Sequence, residues 1–274
     1  MLRLFAITLC LGVLSSLAVV FWTPSCLGPC KNAPVSACVM ITAQKGFGSG
    51  VVFRNGDRVF VWTAAHVLTA GKRIERIMTK DGEFREVIKF SDVVITQDIV
   101  HAGRKAGYID IYAKVIRYSD HHDLAILEAY ANQPRCTTRF NLDAPVIGEP
   151  LWHVGSMHGT HGSNSVSLGV LAAIGRLRTD GAMDEQNGVV YDQVSITCHP
   201  GSSGGGIFRP DGTCVGIITE FLGPNHTFGA LCYVPARRLQ SFSREANCEW
   251  AFDSRIPVPA EDKEPVYQDA TKLP

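Results

Sequence analysis

A histidine and an aspartate stand at the boundaries of predicted strands, where such side chains can move a proton. His66 closes the segment Thr63-Ala64-Ala65-His66, and an imidazole, with an unperturbed pKa of about 6.5, can take up and return a proton near neutral pH. Asp123 heads an apolar run, where a buried carboxylate can accept a hydrogen bond from one imidazole nitrogen and fix its tautomer. Taken alone, the two residues also fit a surface histidine and a strand-initiating aspartate. The adjacent His121 and His122 are interpreted as bystanders, because neighbouring residues of an extended chain point to opposite faces.

The stretch from Pro200 to Gly206 is the most specific motif in the chain. It reads Pro-Gly-Ser-Ser-Gly-Gly-Gly. Glycines on both sides of a serine let the backbone turn sharply and direct N–H groups at a negative charge that develops on an oxygen. A phosphate-binding loop is the alternative, but no lysine follows and no helical pattern begins there. The motif therefore favours an oxyanion site beside Ser203.

Short apolar runs separated by glycine turns predict the elements that hold these residues. Val- and Ile-rich runs of this kind indicate an all-β protein. Strand-like segments such as Arg58–Trp62 occupy the first half, and a polar passage with two prolines, 134–145, precedes a second set of strands. The predicted domains are 1–25 as signal peptide or membrane anchor, 26–35 as linker, 36–133 as first β-barrel, 134–249 as second β-barrel, and 250–274 as disordered tail.

The composition argues against nucleic-acid binding, and the N-terminal sequence indicates the cellular compartment. Lys plus Arg and Asp plus Glu both number 26, so the net charge is zero and no broad basic field is present to attract nucleic acid. The run from Leu4 to Trp22 is apolar and uncharged and follows Arg3, which is typical of an export signal or a single-pass anchor. We therefore expect a protein outside the cytoplasm, whose membrane contact is limited to this segment.

The cysteines fit an oxidising compartment. Of nine, six lie in the body of the chain, and an even number in an exported domain predicts disulfides whose pairing the sequence does not assign. Cys26 with Cys30, and His158 with His161, lack further ligands at metal-binding spacing. No metal or other cofactor is expected.

In their chain order, His66, Asp123 and Ser203 resemble the motifs of the trypsin-like, chymotrypsin-fold serine proteases, closest to the HtrA/Deg-type branch. Gly48–Val52 resembles the strand before the histidine, and the likeness spans about residues 36–242. The resemblance implies two antiparallel six-stranded β-barrels with the active site in the cleft between them. It also implies a serine endopeptidase that forms an acyl-enzyme, with Ser203 as nucleophile, His66 as general base and Asp123 as the carboxylate that orients it.

The same resemblance implies roles for the residues around the nucleophile. The backbone N–H groups of Gly201 and Ser203 would form the oxyanion hole. The substrate-binding pocket would have a floor and a facing wall, formed by Thr197, Cys198 and His199 and by Thr219, Glu220, Phe221 and Leu222 respectively. Without an acid at its base, such a pocket favours a small or apolar side chain in a protein or peptide substrate.

The sequence departs from the family pattern in three places. His66 and Asp123 are 57 positions apart, so the segment 70–120 is an insertion without an assigned role. Ser202 replaces the aspartate by which digestive proteases sense a trimmed N-terminus, so activation of that kind is not expected. No peptide-binding PDZ domain is expected after the protease. Two alternatives stay open: a catalytically silent peptide-binding module on the same fold, and a processing protease of narrow specificity.

Overall fold

The computed structural model describes residues 33–78, 82–101, 104–131, 136–177, 190–221 and 231–259. Most of these residues form antiparallel strands, which close into two six-stranded barrels. This architecture confirms the predicted all-β fold of two antiparallel β-barrels. In chain order, the elements are α1 (Ala33–Ser36), β1 (Cys38–Ala43), β2 (Gly46–Asn55), β3 (Arg58–Thr63), η1 (Ala65–Gly71, a 3₁₀-helix), β4 (Lys72–Met78), β5 (Phe84–Phe90), β6 (Val93–His101), β7 (Arg104–Ser119), β8 (Leu124–Ala129), β9 (Pro150–Met157), η2 (Gly159–His161, 3₁₀), β10 (Gly162–Leu177), β11 (Val190–Val194), β12 (Gly206–Phe208), β13 (Cys214–Phe221), β14 (Leu231–Pro235), α2 (Ala236–Glu245) and η3 (Glu249–Ala251, 3₁₀).

The two barrels enclose separate cores and share a third. The first barrel has the strand order β1-β2-β3-β8-β7-β6, and the second has the order β10-β11-β14-β13-β12-β9. Strand β8 and all of β3 except the half-buried Arg58 are buried. Both faces of each strand pack against a core, because alternate residues face opposite ways. Val61 and Leu127 lie in the core of the first barrel, whereas Trp62 and Ile126 lie in the core shared with the second. The continuous apolar runs in the sequence reflect this burial on both faces.

The segment between His66 and Asp123 contains two hairpins. Strands β4 and β5 pair only with each other in the described structure, and β6 and β7 extend the first barrel as a long hairpin. The second hairpin reaches the second barrel, where Lys105 Nζ lies 2.7 Å from Asp98 Oδ1 and donates a hydrogen bond of 2.7 Å to Ser163 Oγ. The insertion therefore has a regular structure that adds a contact between the barrels.

The packed chain continues beyond residue 249. Trp250, Ala251 and Phe252 are buried in the shared core. The Trp62 indole N–H donates to the Ala251 carbonyl over 2.8 Å, and the Asn55 side-chain amide donates to the Trp250 carbonyl over 2.9 Å. These bonds fasten the segment after α2 to the first barrel.

The prediction of disulfides is wrong for three of the body cysteines. Cys38, Cys198 and Cys214 are buried and have free thiols. Burial raises the pKa of the Cys198 and Cys214 thiols to about 12, so these groups remain protonated and inert. Their role is that of small apolar side chains in the cores.

The predicted export segment, residues 1–25, lies outside the described residues, as do residues 260–274 of the predicted tail. Among the described residues, no helix combines the length and apolar character that crossing a bilayer requires.

Candidate active site

His66 lies on the 3₁₀-helix η1 rather than at a strand end. Strand β3 ends at Thr63, and His66 is the second residue of the helix that follows. Ala64 and Ala65 are fully buried, whereas 48 % of the His66 side chain is exposed. Small residues before the histidine let the turn pack closely against the barrel, so the imidazole is presented at the surface on a rigid base.

Asp123 holds His66 at two points. Its Oδ1 accepts the His66 backbone N–H over 2.9 Å, and its Oδ2 lies 2.8 Å from Nδ1 of the imidazole. A carboxylate can only accept at neutral pH, so Nδ1 carries the proton and Nε2 carries the lone pair. This is the tautomer that a general base requires.

The turn before β8 aims the Asp123 carboxylate. Asp123 adopts a left-handed backbone conformation, with φ of 49°, which aspartate tolerates better than most residues. Its N–H donates to the Asp120 carbonyl over 3.2 Å, and its carbonyl accepts from Ala65 over 3.1 Å. The side chain is 13 % exposed, so the carboxylate is largely shielded from water.

The loop that carries Ser203 packs between the two barrels, close to the helix of His66. The Ser203 carbonyl accepts the Ser49 N–H over 2.7 Å, and the Gly204 N–H donates to the Ile218 carbonyl over 2.7 Å. A Cβ on Gly48 would lie 2.5 Å from the Val67 side chain and 3.0 Å from the Ser203 carbonyl oxygen. The Ser203 carbonyl and the side chain of Val67, the residue after His66, therefore both lie so close to Gly48 that only glycine fits there.

Gly204 explains part of the glycine requirement in this loop. Its φ is +84°, and a Cβ there would lie 2.0 Å from the Ser49 carbonyl oxygen and 2.3 Å from Thr63 Oγ1. Any side chain at residue 204 would push the loop away from the first barrel.

The Ser203 side chain is partly exposed. Within the described residues its hydroxyl makes no hydrogen bond.

A type II turn at residues 199–202 fixes the orientation of the Gly201 backbone N–H. The Ser202 N–H donates to the His199 carbonyl over 2.9 Å, with Pro200 and Gly201 as central residues and a Gly201 φ of +96°, as such turns require. The Pro200 carbonyl accepts the His158 N–H over 2.8 Å. Because C=O and N–H of a trans peptide point in opposite directions, this bond turns the Gly201 N–H away from His158.

The two predicted oxyanion donors have no hydrogen-bond acceptor among the described residues. Neither the Gly201 N–H nor the Ser203 N–H donates a hydrogen bond within the part of the chain that the structure describes. Gly201 is itself buried, and buried amides are nearly always paired. Two amides without protein acceptors, two residues apart, form a suitable place for a negatively charged oxygen.

The predicted pocket residues occupy different environments. Thr197 is exposed, Cys198 and Thr219 are buried, and His199 is half-buried with its imidazole 4.8 Å from that of His158. Glu220 and Phe221 belong to β13, but their side chains lie outside the described part, as does Leu222 entirely. The structure therefore gives no complete pocket from these seven residues.

The two histidines before Asp123 contact other groups. His122 Nε2 lies 3.1 Å from a Glu245 carboxylate oxygen, and its ring packs against Phe242. Burial lowers the pKa of His122, which Glu245 partly opposes. The turn at residues 120–123, rather than alternation along a strand, separates His122 from His66.

His153 lies buried beneath the glycine-rich loop. Its Nδ1 is 3.2 Å from the Gly206 carbonyl oxygen and therefore carries the proton, whereas Nε2 is buried with no partner among the described residues. Burial lowers the pKa of His153 to about 4, because a charge there would lose its hydration.

We expect His153 to make stability depend on pH. Between about pH 6.5 and 4 the unfolded chain binds the proton and the folded chain does not, so stability falls as the pH is lowered through this range, by roughly 3 kcal/mol in total. His153→Gln, whose amide can still donate to Gly206, should lose most of this dependence. Urea unfolding at pH 7.5 and 4.5 measures it, and His161→Gln, an exposed histidine, serves as control. Identical pH dependence in wild type and His153→Gln would contradict the assignment.

Sequence reasoning missed the Ser49 side chain and two backbone N–H groups, those of Ser156 and His158, all of which contact the loop or Ser49. Ser49 belongs to the Gly-Ser-Gly stretch of β2, and this motif could have indicated a close contact with the loop. The contacts of Ser156 and His158 depend on how distant strands pack and have no local signature.

Comparison with known proteins agrees with this geometry. Residues 48–217, more than half of the chain, match the family described as trypsin-like peptidase domain. Similar sequences include a probable periplasmic serine endoprotease DegP-like of Pseudomonas fulva, 28 % identical over 157 residues, which are 57 % of this chain and 30 % of that protein. Another is the serine protease Do-like HtrA of Lactococcus lactis subsp. lactis, 25 % identical over 176 residues, or 62 % of this chain and 36 % of that protein. The chain thus spans about a third of the length of these curated relatives.

Solved structures share the fold. Rv3671c from M. tuberculosis H37Rv, in an inactive form, superposes with a TM-score of 0.57 at 18 % identity, covering 83 % of this chain and 91 % of that one. An HtrA-type protease with a tripeptide gives a TM-score of 0.57 at 17 % identity, covering 79 % and 62 %. The two-barrel fold, the grouping of His66, Asp123 and the Ser203 loop, and the family match agree, and the chain belongs to the trypsin-like peptidase domain family.

Proposed function

We propose that this protein is a serine endopeptidase that cleaves peptide bonds through an acyl-enzyme, with Ser203, His66 and Asp123 as its triad. The observation that carries the proposal is the double hold of Asp123 on His66, over 2.9 Å and 2.8 Å. That hold gives the imidazole one tautomer and one orientation, and the N–H groups of Gly201 and Ser203 have no acceptor among the described residues. A module that only binds peptides has no need of such an arrangement.

The first half of the reaction follows from these positions. As Ser203 Oγ attacks the carbonyl carbon of the scissile bond, its proton passes to His66 Nε2, and the buried Asp123 carboxylate stabilises the imidazolium. The negative charge that develops on the carbonyl oxygen is met by the N–H groups of Gly201 and Ser203. The C–N bond then breaks, His66 returns the proton to the leaving amine, and the acyl group remains on Ser203.

The second half repeats these steps with water. His66 takes a proton from water as the water oxygen attacks the acyl carbon, and the same two amides stabilise the second oxyanion. His66 then protonates Ser203 Oγ as the ester bond breaks. The products are a carboxylic acid and the restored enzyme.

We further propose protein or peptide substrates and a location outside the cytoplasm. The names of the relatives, one of them periplasmic, and the apolar N-terminal run of the sequence support the location. We propose that residues 1–25 are an export signal or a membrane anchor. We also propose that the substrate pocket is formed by Thr197, Cys198, His199 and residues 219–222. The absence of an acid among residues 197–199 supports a preference for a small or apolar side chain before the cut.

Labelling with a fluorophosphonate tests the proposal directly. The reagent phosphonylates an activated serine, so we expect one adduct on the wild-type protein, located at Ser203 by peptide mass spectrometry. Hydrolysis of fluorescent casein should be lost in proportion to labelling. Peptide binding without labelling or turnover would overturn the proposal in favour of a silent binding module.

A further inference from the structure

Ser49 uses all of its polar atoms at the junction of the two barrels. It lies on β2 and is fully buried. Its N–H donates to the Ser203 carbonyl over 2.7 Å, and its hydroxyl donates to the Gly201 carbonyl over 2.6 Å. The hydroxyl oxygen accepts the Ser156 N–H over 2.7 Å, and the Ser49 carbonyl accepts from Thr63 Oγ1 over 2.7 Å. One residue thus connects the first barrel, the second barrel and the glycine-rich loop.

The two carbonyls that Ser49 holds belong to the two proposed oxyanion donors. Gly201 and Ser203 each present an N–H that is unsatisfied among the described residues and a C=O that is bonded to Ser49. Fixing the carbonyl of a residue restricts its ψ, and the type II turn restricts the Gly201 φ. Ser49 therefore restricts the relative position of the two amides, whereas Asp123 restricts the imidazole.

Of the polar groups of Ser49, only the hydroxyl can be removed by substituting the side chain. The bond from its backbone N–H to Ser203 survives any side-chain change, but the Gly201 carbonyl and the Ser156 N–H both depend on the hydroxyl. Without it, two buried polar groups lose their partner. The Gly201 carbonyl can regain one only if the loop rotates, and glycine is the residue that resists such rotation least.

We propose that Ser49 is a positioning residue, whose hydroxyl keeps the Gly201 N–H directed at the oxyanion during the reaction. The inference rests on the proposed peptidase function. A hydrogen bond to an oxyanion forms fully only in the transition state, so its loss lowers kcat with little change in KM. Removing one such donor outright costs roughly 10²- to 10³-fold. Loosening a donor costs less, and we expect kcat of Ser49→Ala to fall about 10- to 100-fold.

A residue that only joined the barrels would behave differently. Its loss would lower stability without a selective effect on transition-state binding. We therefore compare kcat, KM and the affinity for two inhibitors: a peptide aldehyde, which forms a tetrahedral oxyanion with Ser203, and the matching peptide acid, which is a product analogue. For Ser49→Ala, aldehyde affinity should fall by the same factor as kcat/KM, while affinity for the acid and the pH profile of kcat/KM stay unchanged.

Ser156→Ala is the matched control. Ser156 is as buried as Ser49 and lies directly across the hydrogen bond, but its own hydroxyl has no partner in the described part of the chain. The variant removes a buried hydroxyl while leaving every bond of Ser49 intact. It should keep kcat and aldehyde affinity within about twofold of the wild type, well below the loss of a transition-state contact.

The outcomes separate this inference from the function on which it rests. Wild-type turnover with a selective loss of kcat and aldehyde affinity in Ser49→Ala supports it. Wild-type turnover with unchanged Ser49→Ala kinetics overturns it and leaves the function standing, as does an equal loss in Ser156→Ala. No turnover in the wild type overturns both. If Ser49→Ala does not fold, Ser49→Cys, which keeps a weak donor of similar size, is measured in the same way.

Discussion

Replacement of Ser203 by alanine should reduce kcat for peptide hydrolysis by about 10⁶-fold, the order found when a triad serine is removed. In the proposed mechanism the whole reaction passes through a covalent bond to Ser203 Oγ, which attacks the substrate carbonyl carbon. The same hydroxyl makes no hydrogen bond within the described residues, so the fold does not depend on it. The variant should be as stable as the wild type and yet inactive.

Initial rates on a fluorogenic peptide, together with urea unfolding, test this prediction. Fluorophosphonate labelling should disappear with activity. Ser254→Ala, a change of an exposed serine in the segment after α2, should alter neither. If Ser203→Ala kept more than a small fraction of wild-type kcat, the nucleophile would have to be another residue.

Asp123→Asn should lower kcat by about 10⁴-fold, because it inverts the histidine tautomer. The amide oxygen of asparagine can replace Oδ1 and accept the His66 backbone N–H. Its NH₂ group then faces Nδ1 of the imidazole, which must present a lone pair instead of a proton. The proton moves to Nε2, and His66 can no longer accept the Ser203 proton. The change is nearly isosteric, so the loss should come without unfolding.

Asp120→Asn provides the comparison for this variant. Asp120 belongs to the same turn, but its side chain bonds to Lys72 and Tyr118, and only its backbone carbonyl holds Asp123. We expect kcat of Asp120→Asn to stay within about tenfold of wild type, far from the loss that a wrong tautomer causes. Equal losses in the two variants would mean that the turn, and not the His66 tautomer, is what the substitutions disturb.

The sequence predicted the fold and its strand content well because the signals are local. Alternating and continuous apolar runs mark β3 and β8, and the order of His66, Asp123 and Ser203 along the chain carries the family resemblance. The glycines around Ser203 predicted a sharp turn of the backbone, and the structure has a type II turn at Pro200-Gly201.

Contacts between distant segments could not be predicted in this way. Trp250 and Phe252 fill the shared core, although the charged and proline-rich chain after them suggested disorder from residue 250 onward. His66 lies on a 3₁₀-helix whose first residue, Ala65, donates to the Asp123 carbonyl, a bond between residues far apart in sequence. The proposed role of Ser49 depends on four partners, which lie on β3, on β9 and in the loop at residues 200–203. The free thiols of Cys38, Cys198 and Cys214 depend on where the fold places each cysteine, which a cysteine count does not reveal.

The hairpin of β4 and β5 has a consequence for handling the protein in solution. Neither β4 nor β5 pairs with any other described strand, so both outer edges of this hairpin are open. Ile74, Met78 and Phe84 are exposed on it, and an open edge with apolar side chains is a template for pairing with another chain. We therefore expect intermolecular strand addition in concentrated samples to involve this segment, which lies outside both barrels.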